Sequence, residues 1–314
     1  MSQGKGEKSV EEQMTQRFNG ARTCCLVLCV LIMVAAFPVF IIVADALHKF
    51  SYVTSLLGTN VFIYGIVVLL FVSLFSLLVA PAMLYALVSR NQTLFTMLTF
   101  TVLSVGSMAG LAAILGFSLH AELRDESLRE WMAEGLRREY GHPQDYHVTL
   151  AWDRLQSEMK CCGVEVEAEW VASDWFLGQV KYPRRRRPAS CCNSCSDARE
   201  KLCTFHFFES MTAVERRTCD LLTNLCPSSN GAQVDESVCT GNKLGPAEVP
   251  VEAFVHNEGC FSKLESRLHF YSLVLIIGGH ILAIILFSLT ISSFILNYYT
   301  DPFLGSYDAV NMIG

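Results

Sequence analysis

The chain has 314 residues, of which 52% are hydrophobic and 17% are charged, and its mean hydropathy is +0.35. A soluble domain of average composition is less apolar, so these values indicate a chain that is partly embedded in lipid. The formal net charge of -6 does not decide the orientation in a membrane, because long translocated loops have little influence on it. No nucleic-acid partner is expected.

The apolar residues are gathered in four runs, and up to Ala44 in the first run and throughout the other three there is no Asp, Glu, Lys or Arg. Each run reaches the ~20 residues that a helix needs to cross a hydrocarbon core of ~30 Å. A buried helix of a soluble protein rarely stays uncharged for so long, which disfavours that alternative. We therefore predict transmembrane helices at residues 23–45, 61–88, 94–119 and 270–296.

Basic residues set the predicted orientation. Lys5, Lys8, Arg17 and Arg22 precede the first run, which is too long and begins too late to be a cleavable signal peptide. The positive-inside rule then places the N-terminus in the cytosol. The remaining segments follow: a cytosolic N-terminus at 1–22, a small extracellular loop at 46–60, a cytosolic turn at 89–93, a large extracellular loop at 120–269 and a cytosolic tail at 297–314.

The 13 cysteines divide in agreement with this topology. Three lie at the cytosolic end of the first span, namely Cys24, Cys25 and Cys29, and ten lie in the large loop. An even count in an oxidising compartment predicts full pairing, and the zinc or redox alternative for Cys192 and Cys195 is less favoured there. The ten are Cys161, Cys162, Cys191, Cys192, Cys195, Cys203, Cys219, Cys226, Cys239 and Cys260.

The large loop has the size of a domain and a helical pattern at both ends. Residues 120–140 are rich in helix formers and are predicted to continue the third span without a break. A second helix is expected from near Asp145 to Gly163, where glycine allows the positive φ of a helix end. The prediction is an all-α membrane protein, a four-transmembrane-helix bundle with a disulfide-rich, mainly helical large extracellular domain.

Several motifs resemble those of the tetraspanin family. They are the sequence Trp152-Asp153-Arg154-Leu155-Gln156, the motif Lys160-Cys161-Cys162-Gly163, the motif Pro188-Ala189-Ser190-Cys191-Cys192 and the segment Glu258-Gly259-Cys260. The resemblance covers nearly the whole chain and implies the disulfides Cys161–Cys260 and Cys162–Cys191. Pairing of the other six loop cysteines stays open. Ten loop cysteines exceed the usual number, so this is a divergent member.

The resemblance also implies a function. Tetraspanins are non-catalytic scaffolds that bind other integral membrane proteins, organise them into microdomains and affect their trafficking, adhesion or signalling. Partners would include itself or other tetraspanins and membrane lipids, and Cys24, Cys25 and Cys29 are the palmitoylation candidates. The sequence shows no nucleophile with a base, no phosphate loop and no metal-spaced histidines, so no enzyme, cofactor or metal is expected. A four-span channel or junction subunit is the alternative, disfavoured because the spans have almost no charged or polar residues to line a pore.

Three further signals keep two interpretations each. Residues 184–187 are all arginine and form either a patch for acidic partners or a solvated tip. Trp170 and Trp175 either face a partner or fill the core. In the tail, Tyr307 and Val310 either form a sorting signal, which predicts a plasma-membrane protein with an endosomal vesicle pool, or match its spacing by chance.

Overall fold

The computed structural model describes residues 3–124, 127–195, 236–242 and 254–300. Its contacts divide the chain into two compact units. The first unit comprises Met1–Ser51, Asn60–Ala121 and Phe270–Gly314, and the second comprises Tyr52–Thr59 and Glu122–His269. The short segment after the first long helix therefore belongs to the same unit as the large loop.

The described residues are mostly helical. The helices are α1 (Gln3–Phe50), α2 (Thr54–Leu57), α3 (Val61–Ser89), α4 (Gln92–Glu122), α5 (Ser127–Glu134), α6 (Tyr146–Met159), α7 (Asp174–Leu177), α8 (Glu236–Cys239) and α9 (Cys260–Thr300). Four of them, α1, α3, α4 and α9, are long and apolar enough to cross a membrane. This confirms the predicted fold class, and each predicted span lies within one of these helices.

The first unit is apolar both inside and on its surface. Ile32, Ile66 and Met83 are buried between the helices, whereas Val34 and Ile284 are exposed. A helix that is hydrophobic all round is typical of a membrane span, because lipid takes the place of water on its outer face.

Small residues allow close packing in this unit. A Cβ atom at Gly279 of α9 would lie 3.0 Å from the Ala109 carbonyl oxygen and 3.0 Å from the Ala113 nitrogen of α4. Only a residue without a side chain fits such an approach, which is a common device between helices in lipid. Gly110 has nothing within 4 Å of its Cβ position, so it takes no part in this packing.

The expected continuous helix over residues 120–140 is wrong. Helix α4 ends at Glu122, Leu123 lies in a turn and α5 begins at Ser127. Buried Leu119 and Leu123 are four residues apart, but the next apolar residue in the sequence, Leu128, comes five later. In an unbroken helix, apolar residues must be three or four positions apart to stay on one face. A spacing of five would turn Leu128 away from that face, which explains why the helix is interrupted between them.

Candidate functional site

The turn after α6 is fixed by backbone conformation and hydrogen bonds. Lys160 and Gly163 have φ angles of 52° and 73°, and a Cβ atom at Gly163 would collide with the carbonyl oxygen of Val166. The Cys162 nitrogen donates to Glu258 O (2.9 Å), and the Cys260 nitrogen donates to Gly163 O (3.0 Å). The turn is thereby held against the segment that begins α9. The predicted helix end at Gly163 is wrong, because α6 ends at Met159 and Lys160 is its left-handed cap, whereas Gly163 has its positive φ in the turn that follows.

Disulfides join the same segments. The structure contains Cys161–Cys260, with Cα atoms 5.0 Å apart, and Cys162–Cys191, with Cα atoms 5.1 Å apart, which are the pairings that the family resemblance implies. A third bond joins Cys192 to Cys239, a pairing that the sequence could not choose. Cys195 is disulfide-bonded as well, whereas Cys203, Cys219 and Cys226 lie outside the described residues.

Glu169 caps the turn from within the second unit. Its carboxylate accepts hydrogen bonds from the backbone nitrogens of Val164 (2.6 Å) and Glu165 (3.2 Å). Charge-assisted bonds of this kind are about twice as strong as neutral ones. Sequence reasoning missed this role, because Glu169 lies in an irregular stretch and nothing in its spacing points back to the turn.

A polar network connects α6 to the Pro188–Cys191 motif. The Tyr140 hydroxyl donates to Asp153 Oδ1 (2.8 Å), and the Ser190 hydroxyl lies 2.7 Å from the same oxygen and 2.7 Å from Gln156 Oε1. The Ser190 hydroxyl can donate only one hydrogen bond and so cannot donate to both oxygens. If the Gln156 amide is rotated so that its nitrogen and oxygen exchange places, Nε2, which otherwise has no partner, donates to Ser190 Oγ. Burial first, and then the nearby Asp153 carboxylate, raise the pKa of Tyr140 well above its ordinary value.

Aromatic rings fill the core of the second unit. Trp152 and Trp170 are fully buried, and their ring centroids are 6.0 Å apart in an edge-to-face arrangement. Tyr140 lies 4.6 Å from Trp170, and Trp175 lies 5.9 Å from it. The structure therefore supports the interpretation that Trp170 fills the core of the second unit.

The four arginines of the run at 184–187 differ in burial: Arg185 and Arg186 are exposed, Arg184 is half-buried and Arg187 is buried. The Nη1 group of Arg187 donates to Cys239 O (3.1 Å). Its Nη2 group donates to Glu167 Oε1 (3.4 Å), and its Nε lies 3.3 Å from Glu167 Oε2 in the same ion pair. Burial lowers the pKa of Arg187, and Glu167 opposes that effect. Arg185 forms an exposed ion pair with Glu236 at 2.9 Å.

A short loop beside this run presents apolar side chains to the outside; we call residues 179–185 the clasped loop. Gln179 Nε2 donates to Arg185 O (2.9 Å), and Gln179 Oε1 accepts from the Arg185 nitrogen (2.8 Å). Between them, Val180 is 90% exposed and Tyr182 is 77% exposed. The Arg184 guanidinium lies 5.1 Å from the centre of the Tyr182 ring, so the loop has a defined shape.

The small-loop segment contacts the large-loop residues of the second unit. The Tyr52 hydroxyl donates to Glu158 Oε2 (3.2 Å), and Arg154 lies over the Tyr52 ring at 4.7 Å. Burial first, and then Glu158, raise the pKa of Tyr52 above its ordinary value. The Thr59 hydroxyl donates to Glu122 Oε2 (3.2 Å). These contacts join residues far apart in sequence, and no local pattern predicts them.

The three acylation candidates in α1 differ in access. Cys25 and Cys29 are buried and Cys24 is exposed. The Cys24 sulfur lies 3.4 Å from Ser292 Oγ. Tyr307 and Val310, the sorting-signal residues, lie outside the described residues.

Comparison with known proteins gives one family. Residues 21–298 match the model of the Tetraspanin family. Tetraspanin-11 of Bos taurus is 33% identical over 84 residues, which is 27% of this chain and 32% of that protein. Tetraspanin-11 of Mus musculus is 30% identical over 142 residues, 45% of this chain and 54% of that protein, so the chain aligns with between a third and about half of the length of these relatives. Leukocyte antigen CD37 of Homo sapiens is 22% identical over 255 residues, 74% of this chain and 83% of that protein.

Proposed function

Because this chain belongs to the tetraspanin family, we propose that it is a non-catalytic membrane scaffold. It binds other integral membrane proteins laterally, including other tetraspanins, and organises them into microdomains. Trafficking, adhesion or signalling by those partners depends on that organisation. The second unit selects the partners, and the four long helices supply contacts within the lipid.

The proposed orientation places both termini in the cytosol and the second unit outside the cell. Two features support it. Arg17 and Arg22 lie in the N-terminal half of α1, directly before its apolar run, where the positive-inside rule places cytosolic charge. The disulfides of the second unit need an oxidising compartment to form and persist.

The clasped loop is the structural feature that best supports the proposed binding of a partner. Val180 and Tyr182 are more exposed than large apolar residues usually are, and Gln179 fixes the backbone around them. A rigid loop loses little conformational entropy on binding, so more of its contact energy appears as affinity. Exposed aromatic and apolar anchors on such a frame are typical of interface hot spots.

The charges around the loop define the partner. Lys181 is exposed between the two apolar residues, and half-buried Arg184 and exposed Arg186 follow them in the chain. A complementary partner has an apolar extracellular surface bordered by carboxylates, since opposite potentials favour encounter and suppress wrong partners. We assign this surface to the ectodomain of another membrane protein.

Acylation and sorting complete the proposal. Cys24 is the cysteine whose exposure allows acyl transfer, and an acyl chain on it would strengthen association within the membrane plane. Tyr307 and Val310 would provide a signal for internalisation, giving a plasma-membrane protein with an endosomal vesicle pool.

Co-purification of the full-length chain in mild detergent, with quantitative mass spectrometry, tests the function. Val180→Glu with Lys181→Glu should lower recovery of a defined membrane partner about tenfold or more. Leu150→Glu, an apolar residue of the same unit that is 49% exposed, is the matched control and should keep that partner. Equal recovery from both variants would reject the loop as the binding element. Ion conductance of vesicles that contain the purified chain would support a channel instead.

A further inference from the structure

The first unit has a cavity of about 390 Å³ where the helices α3 and α4 meet at their common turn. Arg22, Arg90, Gln92 and Asn297 contribute polar groups to its lining, and Phe95 and Leu296 contribute apolar ones. All four long helices supply lining residues. The cavity lies at the same end of the unit as Cys24 and the basic N-terminal part of α1, because α1 begins there and α9 ends there.

The two arginines of the cavity lack a counter-charge among the described residues. The described side chains of the first unit include one carboxylate, Asp45, and it pairs with Lys49 at 2.9 Å near the far end of α1. Neither Arg22 nor Arg90 forms an ion pair with any residue whose side chain the structure describes. Two guanidinium groups beside one cavity, at the edge of an apolar bundle, repel each other unless an anion joins them.

The backbone of the turn places Arg90 at this position at a conformational cost. Its φ angle is 53°, and its nitrogen donates to Ala86 O. Glycine or asparagine is the usual residue at such a helix end, because the left-handed conformation strains other side chains. The next residue, Asn91, accepts a hydrogen bond from the Leu94 nitrogen at 3.1 Å and so begins α4.

The first turn of α4 adds to the positive potential of the cavity. Gln92 and Phe95 both line it, and the N-terminus of a helix carries partial positive charge and unpaired N–H groups. The guanidinium groups supply forked donors that match phosphate oxygens. Phe95 and Leu296 supply apolar surface next to them, which suits a ligand with a charged head and a lipid tail.

We propose that this cavity binds the phosphorylated headgroup of an anionic membrane lipid of the phosphoinositide class. Arg22 and Arg90 contact the phosphate groups, and the amides of Gln92 and Asn297 contact the remaining oxygens. The inference takes from the proposed function only the orientation, which turns this end toward the cytosolic leaflet, where anionic lipids are concentrated. Basic pockets between membrane helices on that side suit such headgroups in general.

Lipid binding to the full-length chain in nanodiscs tests the proposal independently of orientation, because both leaflets then contain the lipid. Discs with phosphatidylinositol 4,5-bisphosphate are compared with discs in which phosphatidylserine supplies the same total charge. The wild type should bind a fluorescent analogue of the first lipid, and the double variant Arg22→Gln, Arg90→Gln should bind it roughly tenfold more weakly or worse. Arg17→Gln, an exposed arginine outside the cavity lining, should change the affinity less than about twofold.

Two further measurements make the outcome decisive. The melting temperature of each variant without the lipid shows whether it folds, and the lipid should raise that temperature for the wild type but not for the double variant. If soluble inositol trisphosphate at equal concentration displaces the lipid, the cavity is a phosphate site whose ligand is the free anion. If it does not displace the lipid, the ligand is the lipid headgroup. Equal weakening by Arg17→Gln and the double variant, or equal binding in the phosphatidylserine discs, would overturn the proposal and leave the arginines as orientation signals.

Discussion

Gln179 closes a loop by bonding both backbone groups of Arg185: its amide donates to the carbonyl oxygen at 2.9 Å and accepts from the nitrogen at 2.8 Å. The side chain thus takes the place that a neighbouring strand would have in a ladder. Because both bonds come from one side chain, a single substitution removes them together.

Gln179→Ala is therefore expected to loosen residues 180–184 without unfolding the second unit. Neutral hydrogen bonds at the surface contribute about 1 kcal/mol each or less to the free energy of unfolding, so the melting temperature should change little. Hydrogen exchange of the Arg185 amide should rise strongly, since its acceptor is lost. Gln179→Glu keeps the acceptor for that amide and should keep more of its protection. Unchanged exchange in Gln179→Ala would show that the loop is held by other contacts.

Gly163→Ala should prevent the second unit from folding. The residue has a φ angle of 73°, and the added Cβ atom would collide with the Val166 carbonyl oxygen. Backbone strain together with a steric clash of this kind costs on the order of 3 kcal/mol or more. Surface delivery and binding of a conformational antibody are the measurements. We expect the variant to be retained inside the cell and to lose the epitope.

Gly110→Ala is the matched control for that substitution. Its Cβ position has no neighbour within 4 Å, and alanine is a better helix former than glycine by about 1 kcal/mol. Normal surface delivery is expected for this variant. Normal delivery of Gly163→Ala as well would show that the turn can adopt another conformation.

Features that depend on a periodic pattern or a local motif can be predicted from the sequence. Features that depend on contacts between distant segments cannot. The four spans follow from uninterrupted apolar runs. The positive φ of Gly163 was expected, but at a helix end, and the helix ends earlier, at Met159. Glu169 and Gln179 act by hydrogen-bonding backbone groups of residues further along the chain or before them, and no sequence motif surrounds either residue. The break after Glu122 is visible in the spacing of Leu123 and Leu128, but strong helix propensity in residues 120–140 favoured the wrong interpretation.

Cys24→Ser should remove most of the hydroxylamine-sensitive acyl signal of the chain. Cys24 is exposed at the bundle surface, where an acyl chain can enter the lipid, whereas Cys25 and Cys29 face the interior of the bundle. An acyl chain on either buried sulfur would have to displace packed neighbours. Cys25→Ser and Cys29→Ser should accordingly keep the signal in an acyl-exchange assay. A full signal from Cys24→Ser would mean that the buried thiols are modified before the helices pack.

Arg187 and Arg185 test burial within one run of identical residues. Arg187→Ala leaves the buried Cys239 carbonyl group without its donor and removes the ion pair with Glu167, whose side chain is 35% exposed. A buried acceptor left without a partner costs about 1–3 kcal/mol. Arg185→Ala removes an exposed ion pair whose side chains are 50% and 49% exposed, which is worth at most about 1 kcal/mol. The midpoint of thermal unfolding of the purified chain should therefore fall further in the first variant than in the second. Arg187→Lys keeps the charge but loses the forked donor that reaches both partners, so it should lie between them. Equal midpoints for Arg187→Ala and Arg185→Ala would show that the burial of Arg187 adds no stability beyond that of an exposed arginine.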